Sequence, residues 1–332
     1  MGGRALKNTY TERKNTDEFL RIGKEIQHKL LTDLKLDSII LKCYHTKETH
    51  GDLDLLIKIP LNCNVDIKKY VENSFTPNEI FSNGGVYSFN HQDFQIDFIP
   101  INEDKWEVAQ VYGFYDPLGN ILGKSYHKFN LSYGWNGLFY KFRNLHGSNS
   151  ADIFITADVR KIFEFGGYDY DRYLKGFENL EEIYQFCIDG KYFNIETFKM
   201  ENLTQIDRKR NRKRLSYHKF LEYVGESNIT KAFEFNSDKD SYLPMIEAYF
   251  PEANLMEKLN ALREEDRINK LVNDKFNGNI VMEWIPDLAG RKLGFAMGRF
   301  KDELGVDYKN YILVTDTETV KAKFLELYHG EY

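Results

Sequence analysis

Three aspartates are the residues whose types and spacing point most directly to chemistry. Asp52 and Asp54 stand two residues apart in Gly51-Asp52-Leu53-Asp54-Leu55-Leu56-Ile57. Side chains alternate along a strand, so the two carboxylates share one face while Leu53, Leu55 and Ile57 point into a core. Some forty residues later, Phe94-Gln95-Ile96-Asp97-Phe98-Ile99 repeats the pattern. There Phe94, Ile96 and Phe98 form the apolar face and Asp97 stands opposite. If the two strands are neighbours in one sheet, three carboxylates meet at one place. Three like charges that close cannot all stay ionised without a cation between them, and hard oxygen ligands select Mg²⁺ or Mn²⁺. The opposing reading makes Asp52 and Asp54 solvent-facing residues at a strand end and Asp97 an unrelated edge residue. Charged groups inside strands this apolar need a reason to be there, which favours the first.

The elements around these strands are readable from periodicity. The small-residue start, Met1 to Leu6, reads as extended and either packs near the site or, as Gly2-Gly3 more often implies, is a flexible terminus. Thr16 is the expected N-cap of a helix carrying Phe19, Ile22, Ile26, Leu30 and Leu34 on one face. Ser38 to Cys43 reads as a first strand, Asp66 to Phe75 as a short helix, and Val86 to Phe89 as a strand in a hairpin with the Asp97 strand. Pro100 is expected to end that strand. Beyond it, Ile153 to Phe165, Tyr173 to Gly176 and Leu180 to Asp189 read as short helices with glycine stops. Tyr311 to Val314 is a short apolar segment and Thr319 to Tyr328 a closing helix.

At Gly51-Asp52-Leu53-Asp54 with Gln95-Ile96-Asp97, the sequence resembles the DNA polymerase β-like nucleotidyltransferase superfamily and its Gly…Asp-h-Asp…h-Asp signature. That resemblance implies that Asp52 and Asp54 hold metal ions, and that Asp97 serves as ligand and base-side carboxylate. It implies an α+β protein: a small mixed-sheet nucleotidyltransferase palm over residues 1–115, a helical nucleotide-binding region over 116–200, and a helical, RNA-binding domain over 201–332. The Phe165-Gly166-Gly167-Tyr168 turn and the Gly176-Phe177 step are similar to uncharacterised phage and fungal members.

The chain departs from the superfamily where a Gly-Ser pair usually follows the first strand and binds the triphosphate. Thr46, Lys47 and Thr49, with the turn glycine Gly51, stand there instead and can offer hydroxyls, one positive charge and backbone amides. His45 and His50 lack acidic or thiol partners at ligand spacing and read as solvated turn histidines. Gly123-Lys124-Ser125 looks like the tail of a phosphate loop, but Gly119 lies one residue too close. Lys124 and Lys128, set among Tyr126, Phe129, Tyr133 and Trp135, either form a nucleotide-binding wall or belong to an aromatic core with solvated lysines.

The chain of 332 residues carries a net charge of −6, so no global field attracts nucleic acid and any such partner must meet a local patch. Arg208-Lys209-Arg210-Asn211-Arg212-Lys213-Arg214 is the best such patch, against the usual reading of a charge run as a solvated helix face. Phe276 to Met297, with Gly278, Gly290, Gly294, Arg291 and Lys292, is similar to a helical module late in bacterial-type tRNA CCA-adding enzymes. The three cysteines are too few and too scattered for a disulfide framework or a zinc site. No window is apolar enough to span a membrane, and a cytoplasmic location is expected.

These readings converge on a metal-dependent nucleotidyltransferase that moves a nucleoside monophosphate from an NTP to an acceptor hydroxyl, an RNA (tRNA-like) 3′ end being favoured. Transfer to a protein or small molecule, and a non-catalytic nucleotide- or nucleic-acid-binding module, stand as alternatives.

Overall fold

The structure, a computed structural model, describes residue 3 and residues 5–144, 149–227, 229 and 232–329. The protein is α+β. It divides into two units, Met1–Lys141 with Ile153–Asn254, and Phe142–Asp152 with Leu255–Tyr332.

The first unit is built on a five-stranded mixed sheet. Its order is Ser38–Ile40, Asp52–Ile59, Phe94–Asn102, Val86–His91 and Ile80–Asn83. The two inner strands that carry the aspartates run parallel, and the other pairings are antiparallel. A parallel neighbour needs a long crossover. Residues 60–93 supply it, through the Ile67–Phe75 helix and the outer hairpin.

One face of this sheet is the core. Leu53, Leu55, Ile57, Phe94, Ile96 and Phe98 are buried there against Ile22, Ile26 and Leu30 of the Thr16–Leu34 helix and Val71 of the Ile67–Phe75 helix. The opposite face changes character along its length. Leu56, Ile99 and Ile101 pack against Ala109 of the Trp106–Gly113 helix, whereas the beginning of the same two strands presents Asp52, Asp54, Gln95 and Asp97. Period-two alternation thus places the carboxylates opposite the core without costing the core any apolar contact.

Several local expectations are corrected. The first helix is capped by Asn15, whose Oδ1 accepts the Glu18 amide at 2.9 Å. Thr16 is its first helical residue and donates its hydroxyl to the Lys47 carbonyl at 2.6 Å. The first strand stops at Ile40. Pro100 does not end its strand, which continues to Asn102. The antiparallel neighbour pairs only as far as Phe98, so beyond that point one side of the strand needs no N–H donor, the setting in which strand proline is tolerated. Ile153 to Thr156 is strand rather than helix; Ile153 and Ile155 are buried while Phe154 is exposed, and the helix begins at Val159 behind an Asp158 cap. Leu131–Gly134 and Gly137–Arg143 form an antiparallel hairpin in the stretch read as helical. Gly123-Lys124-Ser125 lies inside the Leu118–Tyr126 helix, which is buried nearly all round. It is core, not a phosphate loop.

The later part of the second unit is helical. Leu255–Lys275, Gly278–Trp284, Gly290–Leu304, Tyr308–Val314 and Thr317–His329 surround a core that includes Phe276, Val281, Phe300, Ile312 and Phe324. Among the described residues no helix is long and apolar enough to cross a membrane.

Candidate active site

The parallel register decides the site. It pairs Asp54 with Asp97 directly and Asp52 with Gln95, so the three carboxylates project from one face of two adjacent strands. One oxygen from each lies within 4.8 Å of the others.

That crowding has an electrostatic cost. Burial pushes the Asp54 carboxyl well above its ordinary value, and Asp52, Asp97 and Asp116 push it further. Burial and then Asp52 raise Asp97 to about 6. Burial likewise raises Asp52, although the Gly3 amide and Lys47 oppose it. A cluster of hard oxygen donors that cannot all ionise alone is the donor set that suits a divalent Mg²⁺ or Mn²⁺. The residues present fit such an ion.

The carboxylates form one wall of a cleft of about 380 Å³. Lys47, Arg210, Arg214, Asp116, Tyr112 and Trp135 are among the residues that line the rest. Lys47 donates to Cys43 Sγ at 3.3 Å. Burial pulls its ammonium down, but Cys43 and Asp52 outweigh that and its pKa is raised, so it stays charged. Arg214 Nη1 lies 3.5 Å from Asp116 Oδ1, and Ser216 donates to the other oxygen of Asp116 at 3.4 Å. The cleft therefore has an acidic floor on the sheet and cations brought from the first turn region and from the basic run.

Of the residues picked out as nucleotide contacts, only Lys47 lines this cleft. Gly51 sits at the entrance to the carboxylate strand with its carbonyl against Gly3. Thr46 bonds through both its amide and its hydroxyl to the Glu178 carbonyl, at 3.0 and 2.7 Å. Thr49 Oγ1 accepts from Arg13. Lys128 Nζ stands 5.9 Å above the Phe235 ring. Lys124 is 5% exposed and pairs with Asp207 Oδ1 at 3.1 Å, over the Tyr217 ring.

Burial lowers the Lys124 ammonium, and Asp207 opposes the fall. Burial would raise Asp207, but Lys124 and Thr204 outweigh it and hold the carboxyl low. Removing one partner of such a pair strands a buried charge. Asp207→Ala is therefore expected to cost roughly 3 kcal/mol, the low end for broken buried pairs because Asp207 is itself partly exposed. Urea unfolding reads this directly; a loss under about 1 kcal/mol would place the pair among ordinary surface bridges.

The basic run is split. Arg208 to Arg210 lie in the Gln205–Asn211 helix, and Arg212 to Arg214 follow it. Arg210 and Arg214 face the cleft, while Lys209, Arg212 and Lys213 are exposed. Arg208 reaches the Glu201 carbonyl at 3.5 Å. In the second unit, Arg291 and Lys292 open the Gly290–Leu304 helix and line a separate cleft of about 280 Å³ with Phe295 and Arg299.

No protein-family model and no curated protein sequence matches this chain. Solved structures that do match include two of Leishmania infantum polymerase β. Its ternary P/T complex is 13% identical over 48% of this chain and 74% of its own, with a TM-score of 0.36. Its ternary gap complex is 14% identical over 40% of this chain and 52% of its own, with a TM-score of 0.33. Likeness of this extent bears on neither substrate nor reaction.

Three residues of the site carry little signal in the sequence. Asp116 is legible there only as part of a turn before Pro117. Gln95 looks like filler between Phe94 and Ile96, and for Gly3 a flexible terminus is the favoured reading over packing near the site.

Proposed function

We propose that this protein is a metal-dependent nucleotidyltransferase: an acceptor hydroxyl attacks the α-phosphorus of an NTP, the new phosphoester bond forms as the α–β phosphoanhydride breaks, and pyrophosphate leaves. The observation that carries the proposal is the convergence of Asp52, Asp54 and Asp97 on two parallel inner strands, in a cleft whose other walls hold Lys47, Arg210 and Arg214.

In this reading Asp52, Asp54 and Asp97 hold two Mg²⁺ or Mn²⁺ ions. A divalent ion there supplies Lewis acidity toward a phosphoryl oxygen and makes a hydroxyl more acidic near neutral pH. Asp97 is the carboxylate nearest in role to the base for the attacking hydroxyl. Lys47, Arg210 and Arg214 neutralise the phosphates in place of the missing Gly-Ser pair, with Arg suited to bidentate contact. Thr46, Thr49, Lys124 and Lys128 are engaged within the protein, so the nucleotide falls to the cleft residues.

For the acceptor we favour an RNA 3′ end, tRNA-like in form. The exposed cations Lys209, Arg212 and Lys213 beside the cleft support a backbone contact, as do Arg291 and Lys292 at the start of their helix and the resemblance of that module to CCA-adding enzymes. Replacing Lys209, Arg212 and Lys213 by Ala is expected to weaken RNA binding and to flatten its salt dependence, by about 0.7 in the log–log slope for each single-strand phosphate the variant no longer neutralises. Filter binding across a salt series measures it; an unchanged slope would remove these three from the interface.

The deciding experiment incubates the protein with each α-labelled NTP, Mg²⁺ or Mn²⁺, and total RNA, and resolves products on a denaturing gel. Label in discrete tRNA-sized bands supports the proposal. Label on protein moves the acceptor to another class, and nucleotide binding without transfer points to a non-catalytic module.

A further inference from the structure

The segment through Gly3 and residues 5–8 belongs to no strand or helix, yet it is tied to the carboxylate site at two points. The Gly3 amide donates to Asp52 Oδ2 at 2.9 Å. The Ala5 amide donates to Gln95 Oε1, also at 2.9 Å. Gln95 is 1% exposed, and its Nε2 lies 3.0 and 3.1 Å from the two oxygens of Asp97. Farther on, Leu6 is buried, and the Lys7 and Asn8 amides donate to the two oxygens of Glu79 at 3.1 and 2.8 Å.

Two details make this path specific. Gly3 has φ +78°, and a Cβ there would lie 2.1 Å from the Gly51 carbonyl oxygen. Only glycine can therefore bring an amide onto Asp52 by this route. Gln95 presents a carbonyl at one end and two N–H donors at the other. The Ala5 N–H requires the carbonyl on its side, which turns the NH₂ toward Asp97. Reversed, the amide would set oxygen against carboxylate and N–H against N–H.

Resting on the metal-dependent reading of the three aspartates, we infer that this segment is a positioning strap: Gly3 orients Asp52 directly, and Ala5 orients Asp97 through Gln95. Each carboxylate oxygen has two lone pairs, so the Gly3 amide on Asp52, and Gln95 together with the Ser88 side chain on Asp97, fix the rotation of each group and leave acceptor capacity for a cation. Partners of this kind, behind metal ligands, are worth about 10–100-fold in metal affinity. Gly3 and Gln95 touch no substrate; they act through Asp52 and Asp97.

The test is Mn²⁺ binding to the full chain without nucleotide, followed by the electron paramagnetic resonance signal of the free ion. Gly3→Ala and Gln95→Leu are expected to bind Mn²⁺ about 10–100-fold more weakly than the parent. Glu79→Ala releases the far end of the strap without touching either carboxylate. It is expected to lose several-fold in affinity, below the range for removing such a partner outright, with an unchanged thermal midpoint, which a purely structural role would not produce. Parent affinity in both Gly3→Ala and Glu79→Ala overturns the inference, and so does tighter binding, which would mean that the segment competes with the metal. Asp54→Asn separates this from the reading beneath it. If the parent binds no Mn²⁺, or Asp54→Asn binds as the parent does, the metal site itself fails. If Asp54→Asn abolishes binding while the strap variants bind normally, only the strap fails.

Discussion

Asp54→Asn is expected to reduce nucleotidyl transfer by roughly 10³-fold or more, the scale of losing a preorganised charge at the point where charge develops. Asparagine keeps the shape and can still accept a hydrogen bond, but it offers no ionised oxygen. Asp54 is the residue to change because the register sets it directly beside Asp97, with Asp52 two residues before it on the same strand. Retained transfer in single-turnover assays would dismiss the metal-site assignment.

The same substitution is expected to stabilise the protein in the absence of metal. Asp54 and Asp97 have folded-state pKa values above their ordinary ones, from burial first and from the neighbouring carboxylates next. A group with a raised folded pKa binds more protons when folded, so its charge costs stability as pH rises from the unfolded value through the folded one. For Asp97 that window runs from 3.8 to about 6. Thermal midpoints of the parent in EDTA should therefore fall across this window, and those of Asp54→Asn should fall less. Added Mg²⁺ should lift the parent and leave the variant behind. A parent indifferent to both pH and Mg²⁺ would mean that the carboxylates do not crowd one another in solution.

Replacing Arg210 and Arg214 together by Ala is expected to lower kcat/KM for the NTP by about 100-fold, mostly through KM. Charge-assisted hydrogen bonds to a phosphate are worth about 1.5–3 kcal/mol each, or about tenfold and upward apiece. The loss should fall at the low end for Arg214, because it already shares Asp116. The contrast with Lys209, Arg212 and Lys213 makes the prediction specific. Those three lie in the same seven-residue run but are exposed away from the cleft lining. Their removal should spare the KM for NTP and weaken RNA binding instead. An equal effect of both sets on NTP and RNA would return the whole run to a single nonspecific patch.

Much of the sheet and its helices follows from periodicity alone. Asp52 and Asp54 had to share a face, and Leu53, Leu55 and Ile57 had to fill a core, because a strand alternates whatever its neighbours are. The helices Ile67–Phe75 and Leu180–Asp189 were legible for a similar reason, each having a capping side chain, Asp66 or Asn179, and a regular apolar stripe. Short elements were less so. Ile153 to Thr156 has an apolar run that suits either a helix or a strand, and only its packing, with Ile153 and Ile155 inward, chose the strand.

Long-range packing settles everything that depends on which strands are neighbours and which way they run. Alternation is identical in parallel and antiparallel strands, so nothing local could show that Asp54 lies opposite Asp97 rather than a residue away. Lys124 and Arg210 are both cations amid aromatic or basic sequence. Tertiary contacts bury one against Asp207 and turn the other into the cleft. Gly3 is the sharpest case. Glycine near a chain start normally means freedom, and its backbone conformation acquires a role only because Gly51 and Asp52 are folded against it, 48 and 49 residues away.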